Sequence, residues 1–550
     1  MYLEEYNSLT KIILIIVLLA LVSGTHAFNS SFAYALEEDE KEPEKLQNIA
    51  INPLSSSLSS NAPYSLLDPN PSLIDKHGNL INNISLAASL TTYRNGTIAD
   101  GVSKLILLVY SNNMLQFSIN GTKPDDLTNG TLTSLNQSSN VNNLSSTTIV
   151  SPQNIINGKS VVAAVYTPPD SFNNQYTGSN RIINVNVSDP NNPANTLYEL
   201  PIHLYRPPVI LIHGIWTNSK ETWVENSFTK INFSKTLKDS GFNITFANYE
   251  NHNSETFDPY AIKTIGNYGI DATRNAIHKI LEGYHNQSIA ASQVDVVAHS
   301  MGGLMARGFV QQPDYIKQDN FMKGSIHRLI TLGTPHFGGN LSKILDHYSD
   351  HLYCRIGLEI KPPTQNCEAQ LGGQLEDLKT IFNNTYKVPI DQGGVKALIP
   401  GSIAYSHLCQ TNVTSYAIAG RWNPKATVSH VVQEGLYRNI TENGNFDLDK
   451  DGFNDQNDLV VSVKSQLGGL PNQTRQSESN NIPNNDNIPN QSAVYPNIVH
   501  APRYTKGTNI YSETMSPDIQ QDVITLLGSS AENKFSDAIG IGSVCHIPTK

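Results

Sequence analysis

The residue with the clearest chemistry in this 550-residue chain is the serine of the segment A-H-S-M-G-G. A β-branched run, Val294 to Val297, precedes it, and the apolar pattern after it is helical. A strand that turns sharply into a helix exposes a serine at the turn, and only small residues fit two positions before and after it. Ala298 and Gly302 meet that requirement. The spacing therefore predicts that Ser300 is a nucleophile.

A serine hydroxyl attacks a carbonyl carbon only with a base, a carboxylate that holds the base, and donors for the oxyanion. The apolar run P-P-V-I-L-I-H-G predicts a buried strand followed by a turn. We expect the backbone amides of Ile215 and Met301 to be the oxyanion donors. His213 precedes the serine and ends the strand, so a structural role is predicted for it.

The region from about residue 207 to 527 resembles the α/β-hydrolase lipases and esterases of the bacterial extracellular type. The segments that carry the resemblance are P-V-I-L-I-H-G, V-D-V-V-A-H-S-M-G-G, R-L-I-T-L-G-T-P-H-F-G-G, A-L-I-P-G-S and S-Y-A-I-A-G. The resemblance implies cleavage of carboxylic esters through an acyl-enzyme, with no organic cofactor. It also implies a helical lid at about residues 338–410.

The resemblance assigns the acid. The segment N-D-L-V-V-S is similar to the family's N-D-G-L-V-S, with Leu459 in place of the glycine. Asp458 is therefore the predicted acid, and Asp455 is the alternative. In this fold the base follows the acid, and beyond Asp458 the histidines are His500 and His546. His500 ends a strand-like run before the last helix, so the predicted triad is Ser300, His500 and Asp458.

The segment D-L-D-K-D-G-F-N-D, just before the predicted acid, has the oxygen-rich spacing of an EF-hand-type Ca²⁺ loop. The predicted ligands are Asp447, Asp449, Asp451, Asp455 and the carbonyl group of Phe453. Calcium would fix the loop that carries the acid, a structural role that leaves Asp458 for catalysis. The alternative is a solvated acidic turn.

Two patterns of elements divide the chain. Residues 73–204 are short alternating runs separated by Gly, Asn and Asp, which is typical of an all-β sandwich. The segment A-D-G-V-S-K-L-I-L-L-V resembles the opening of bacterial Ig-like repeats found in surface proteins. Residues 205–530 alternate strands with helices, which predicts a mostly parallel sheet covered on both faces. Residues 531–550 are interpreted as a C-terminal tail.

The N-terminal region indicates export. The run from Ile12 to Val22 is continuously apolar, and small residues follow it. Residues 1–27 are therefore predicted to be a signal peptide, with a retained N-terminal anchor as the alternative. Residues 28–72 are acidic and then rich in Ser, Asn and Pro, which is typical of a low-complexity linker.

Cysteines and N-x-S/T sequons fit the same compartment. All four cysteines follow the apolar segment, and an even count in an exported chain predicts disulfides. Cys354 and Cys367 would close a short loop and are the preferred pair. The sequons predict a glycoprotein. The protein is thus expected to be secreted or displayed at the cell surface.

The formal net charge of −11 argues against a nucleic-acid partner. The predicted partner is an ester or lipid substrate, and the N-terminus or the β domain could also associate with a membrane or cell surface. An acyltransferase, an amidase or a lipid-anchor deacylase similar to GPI inositol-deacylase would use the same triad. An adhesion or binding protein with an inactive hydrolase domain is the alternative of another class.

Overall fold

A computed structural model describes the chain at residues 64–81, 92–121, 127–135, 145–152, 154–156, 159–173, 176, 178–224, 232–261, 268–339, 342, 393–422, 456–458, 460–475, 488–500, 511–530 and 534–540. The predicted signal peptide, the predicted calcium ligands, Cys354 and Cys367 lie outside these residues, as does most of the predicted lid. None of the helices in the described ranges is long and apolar enough to span a bilayer.

Residues 64–205, together with one short strand from the later part of the chain, form two six-stranded sheets that pack face to face. The first has the order β2–β1–β4–β9–β6, with β8 also paired to β9, and its pairs are all antiparallel. Its strands are β1 (Tyr64–Asp68), β2 (Thr92–Tyr93), β4 (Leu105–Tyr110), β6 (Thr131–Ser134), β8 (Asn154–Ile156) and β9 (Lys159–Thr167). Strand β4 is a continuous apolar run because both of its faces are buried, one of them against the second sheet.

The second sheet has the order β14–β3–β11–β10–β5–β7. Its strands are β3 (Gly96–Ile98), β5 (Leu115–Ile119), β7 (Thr147–Val150), β10 (Asn180–Asp189), β11 (Asn192–Tyr205) and β14 (Ile289–Ala290). Strands β10 and β11 form a long antiparallel hairpin. Val185, Val187, Leu200 and Ile202 project from it into the apolar core between the two sheets.

The first strand shows that the β domain begins earlier than predicted. Leu66 and Leu67 of β1 are buried, and β1 pairs with β4. Both leucines lie inside the segment 28–72 that composition predicted to be a linker. This short segment is flanked by polar residues, and it becomes a buried strand because it pairs with β4, a central strand of the sheet.

The C-terminal part contains a third sheet with the order β13–β12–β15–β16–β17–β18, and each pair is parallel. Its strands are β12 (Val209–Ile212), β13 (Ile244–Ala247), β15 (Val294–His299), β16 (Ile326–Leu332), β17 (Ser415–Arg421) and β18 (Ser492–Pro496). Separate apolar clusters cover its two faces, which is why its central strands are almost entirely apolar.

The described helices connect these strands or follow them. They are α1 (Phe233–Asp239), α2 (Tyr268–Asn286), α3 (Met301–Val310), α4 (Gly393–Ala397), α5 (Ile403–Ser406), α6 (Val463–Leu467) and α7 (Pro517–Gly528). Helices α4 and α5 are the described helices of the predicted lid. A two-stranded parallel ladder, β19 (Ile498–Val499) with β20 (Tyr511–Ser512), lies between β18 and α7.

The two domains are joined by backbone pairing. Strand β14, which belongs in sequence to the α/β domain, pairs in parallel with β3 of the sandwich. The amide of Ser292 donates to Oγ of Ser103 at 2.8 Å, and Arg328 donates to the carbonyl oxygen of Asp170 at 2.6 Å. The α/β domain thus supplies the edge strand of a sandwich sheet.

Candidate active site

Ser300 occupies the turn between β15 and α3 in a conformation that few non-glycine residues adopt. Its φ and ψ are 56° and −133°, so surrounding contacts must hold it. Its amide donates to the carbonyl oxygen of Leu332 at 2.9 Å. A Cβ at position 302 would lie 2.6 Å from the carbonyl oxygen of His213. The turn therefore closes only because Gly302 has no side chain.

His500 links the hydroxyl of Ser300 to the carboxylate of Asp458. Nε2 of His500 lies 2.8 Å from Oγ of Ser300, and Nδ1 lies 2.8 Å from Oδ2 of Asp458. Because Nδ1 faces an acceptor, it carries the proton of the neutral ring, and Nε2 can accept the serine proton. The structure thus brings together the three residues predicted as nucleophile, base and acid.

The carboxylate of Asp458 is fully buried and is held from two sides. Its Oδ1 accepts from the amides of Val460 at 2.9 Å and Val461 at 2.7 Å, while Oδ2 faces His500. The amide of His500 also donates to the carbonyl oxygen of Asp458 at 3.0 Å. These bonds fix the acid and the base relative to each other.

The predicted oxyanion donors lie on either side of the serine. Met301 is the first residue of α3, and Ile215 follows β12, the parallel neighbour of β15. A Cβ at Gly214 would lie 2.6 Å from Cβ of Ser300, which shows how closely that loop passes the hydroxyl. Among the described residues neither amide donates to a protein acceptor. Both can therefore donate to a substrate oxygen.

His213 has partners that leave it no part in proton transfer. Its ring stacks on Tyr249 at 4.1 Å between centroids, Nδ1 lies 2.9 Å from the carbonyl oxygen of Gly214, and Nε2 accepts from the amide of Tyr249 at 3.2 Å. Burial lowers the pKa of His213 to about 4, so the ring is neutral at pH 7. These contacts fit the structural role expected for it.

Two buried groups behind the triad were not predicted from the sequence. Nε2 of His299 lies 3.0 Å from the carbonyl oxygen of His500, and burial lowers the pKa of His299 well below its usual value. Glu513, between β20 and α7, places Oε2 3.5 Å from Nδ1 of His500. His299 is part of the serine motif, so its position could have suggested a role. Nothing in the sequence around Glu513 marks it.

The parallel sheet, the strained serine turn and the hydrogen-bonded histidine and carboxylate define the α/β-hydrolase class. Residues 204–394 match the family model of the PGAP1-like alpha/beta domain. The second domain therefore has the α/β-hydrolase fold, which confirms the recognition from sequence motifs.

The chain is also similar to solved structures of low sequence identity. Lipase 1 from Pelosinus fermentans is 14% identical, with 58% of this chain and 97% of that chain covered and a TM-score of 0.33. Phospholipase PlaB from Legionella pneumophila is 14% identical, with 60% and 61% covered and a TM-score of 0.33. An extracellular alpha/beta-hydrolase from a Paenibacillus species is 12% identical, with 38% and 76% covered and a TM-score of 0.20. No curated protein sequence matches the chain.

Proposed function

We propose that this protein is a serine hydrolase that cleaves carboxylic esters, of the lipase or esterase type. The observation that carries the proposal is the chain of two 2.8 Å hydrogen bonds from Ser300 through His500 to Asp458. That arrangement, at the end of a parallel strand, supplies a nucleophile, a base and the group that orients the base.

The reaction would proceed in two halves. Nε2 of His500 takes the proton of Ser300 as Oγ attacks the ester carbonyl carbon, and the amides of Ile215 and Met301 stabilise the oxyanion. The C–O bond to the alcohol then breaks, and His500 gives its proton to the leaving alkoxide. In the second half water attacks the acyl-enzyme while His500 takes its proton; the bond from the acyl carbon to Oγ of Ser300 then breaks, His500 returns the proton to Oγ, and the free acid leaves. Asp458 accepts the hydrogen bond from Nδ1 of His500 throughout.

Burst kinetics test the acyl-enzyme. With a p-nitrophenyl ester we expect a rapid release of p-nitrophenol equal to the enzyme concentration when deacylation is slower than acylation. Ser300→Ala should lose both the burst and the steady rate. Ser292→Ala, at a buried serine of the domain junction, is the matched control and should keep both. Equal rates for the wild type and Ser300→Ala would refute the proposal.

The acyl acceptor and the bond that is cleaved distinguish the proposed esterase from other enzymes that would use the same triad. An acyltransferase, an amidase and a lipid-anchor deacylase would share the nucleophile, so the triad does not distinguish them. Adding a small alcohol should leave hydrolysis as the main route, because water is the proposed acceptor. Acyl transfer to the alcohol that exceeds hydrolysis would assign the protein to the transferases. Faster cleavage of matched amides than esters would assign it to the amidases.

Calcium binding, glycosylation and export are proposals from the sequence alone. The spacing of Asp447, Asp449, Asp451 and Asp455, with the carbonyl of Phe453, favours a Ca²⁺ ion in the loop before the acid. We expect excess EDTA to lower the melting temperature and added Ca²⁺ to restore it. An unchanged melting temperature would remove calcium from the account. Glycosidase treatment and signal-peptide mapping of the exported protein test the other two.

A further inference from the structure

A second carboxyl group lies buried against the triad, and the proposed mechanism does not use it. The side chain of Glu513 is 0% exposed. Its Oε2 lies 3.5 Å from Nδ1 of His500 and 3.3 Å from Nε2 of His299. Burying an ionised carboxylate without hydrogen-bond donors costs free energy. The donors and charges around Glu513 therefore determine whether its carboxyl group is protonated.

The sheet makes a pocket for this carboxyl group from two glycines. A Cβ at Gly333 would lie 1.9 Å from Oε2 of Glu513, and a Cβ at Gly420 would lie 2.9 Å from Oε1. The amide of Gly420 donates to Oε1 at 3.1 Å. Gly333 also has a φ of 59°, which favours glycine independently. The Glu513 carboxyl is therefore held in one orientation, with Oε2 toward the histidines.

The histidine donors near Oε2 of Glu513 are directed to other acceptors. The Nδ1 proton of His500 lies on the bond to Asp458, and the Nε2 proton of His299 lies on the bond to the carbonyl oxygen of His500. In the described part of the chain Oε2 of Glu513 accepts no hydrogen bond. A buried carboxyl oxygen without a donor is satisfied when it carries the proton itself.

Electrostatics favour the same protonation state. Burial raises the pKa of Glu513 well above its usual value, and the charge of Asp458 and a side-chain hydrogen bond to Asp458 raise it further. The Gly420 amide acts in the opposite direction but is the smallest cause. Like charges on two adjacent buried carboxyl groups cannot both form without a large penalty. The other titratable groups that face Glu513 are His299 and His500.

We propose that Glu513 is a positioning residue of the triad, which keeps a proton that it shares with Asp458, so that the two carboxyl groups present a single negative charge to His500. This inference rests on the proposed function. The shared proton adds a hydrogen-bond donor to Asp458 beyond the amides of Val460 and Val461. It thereby fixes the acid without adding a second charge beside the base.

The test is the pH profile of kcat/KM for ester hydrolysis by the full chain. Its acid limb reports the protonation of the base in the free enzyme. Glu513→Gln keeps a donor and leaves one charge on Asp458, so we expect its acid limb to coincide with that of the wild type and its kcat to stay within about threefold. If Glu513 were ionised, Glu513→Gln would remove a charge beside His500, and the limb would move down by about one pH unit or more. That shift would overturn the proposal.

A second variant measures the positioning role. Glu513→Ala removes the donor, so Asp458 becomes the stronger acceptor, and we expect the acid limb to move up. We expect kcat to fall about 10- to 100-fold with KM little changed, because substrate contacts remain. Equal kcat values for Glu513→Gln and Glu513→Ala would overturn the proposal.

The matched control is Asp522→Asn. Asp522 is also a buried carboxyl, lies on α7 and pairs with Arg475 at 3.0 Å, away from the triad. It should lower stability and leave the acid limb in place. A wild type without Ser300-dependent hydrolysis would refute the proposed function itself. A wild type that hydrolyses esters, with a shifted limb in Glu513→Gln, would refute only the role of Glu513.

Discussion

The buried polar groups of the sandwich and those of the α/β domain have different roles. In the sandwich, Asp100 accepts from the amides of Val102 and Ser103 and from the hydroxyl of Ser103, so its carboxylate closes a turn. In the α/β domain, His299, His500 and Glu513 converge at the end of a strand. Polar groups of the first kind fix the shape of the backbone, whereas those of the second kind surround His500, the proposed base. Substitutions in the two regions should therefore separate stability from catalysis.

The largest effect is expected at the base. His500→Ala should lower kcat by about 10⁴-fold or more, because the serine then has no proton acceptor, while the melting temperature changes little. His252→Ala, at a half-exposed histidine, should retain full activity. A His500→Ala protein that hydrolyses esters at a tenth of the wild-type rate would contradict the role of His500 as the base.

Acid should destabilise the α/β domain through its buried neutral histidines. The folded pKa of His213 is about 4, below the unfolded value of about 6.5, so the unfolded state binds more protons between these values. The free energy of unfolding should therefore rise with pH from about 4 to 6.5, by about 3 kcal/mol from His213. Burial also lowers the pKa values of His299 and His336. Urea unfolding at several pH values measures the slope, which His213→Asn should reduce. If His213→Asn had the same slope as the wild type, His213 would not be a source of this pH dependence.

A change in the sandwich should cost stability without touching catalysis. A Cβ at Gly96 would lie 1.9 Å from the carbonyl oxygen of His203, where β3 meets β11. Gly96→Ala should cost roughly 1–3 kcal/mol and lower the melting temperature, while the activity per folded molecule stays constant. Gly283→Ala, in α2 with open space around the new Cβ, should be neutral or stabilising by up to about 1 kcal/mol. Equal melting temperatures for the two variants would show that the domain junction tolerates the side chain.

The smallest effect is expected at the start of α7. Oγ of Ser516 accepts from the amide of Ile519 at 3.4 Å, and Pro517 opens the helix. Ser516→Ala should cost about 1 kcal/mol, whereas Ser516→Asp should keep the cap. Thermal unfolding distinguishes them, and identical curves would show that the cap contributes nothing.

Much of the fold could be predicted because local pattern and burial agree. Strands β5, β9 and β10 follow alternating or apolar runs, and β15 with α3 follows from one motif. Strand β14 could not be predicted, because two residues have no periodicity and their partner lies almost 200 positions away. Composition predicts a linker at strand β1, because its burial comes from pairing with β4, which its own sequence does not indicate.

The candidate site likewise contains residues that the sequence predicts and one that it does not. Ser300 is marked by the small residues that its turn requires, and the order of acid and base then limits the choice to few residues. Glu513 carries no such mark, since its position depends on Gly333, which follows β16, and on Gly420 of β17, and both are far from it in sequence. Residues that act through packing across several strands are visible only in three dimensions.

The central claim is that Ser300 is the activated nucleophile. Its most direct test is to treat the protein with a fluorophosphonate at neutral pH and to locate the adduct by peptide mass spectrometry. The account predicts one adduct, on Ser300, and no labelling of Ser300→Ala or of the denatured wild type. An adduct on another residue, or equal labelling of Ser300→Ala, would contradict it.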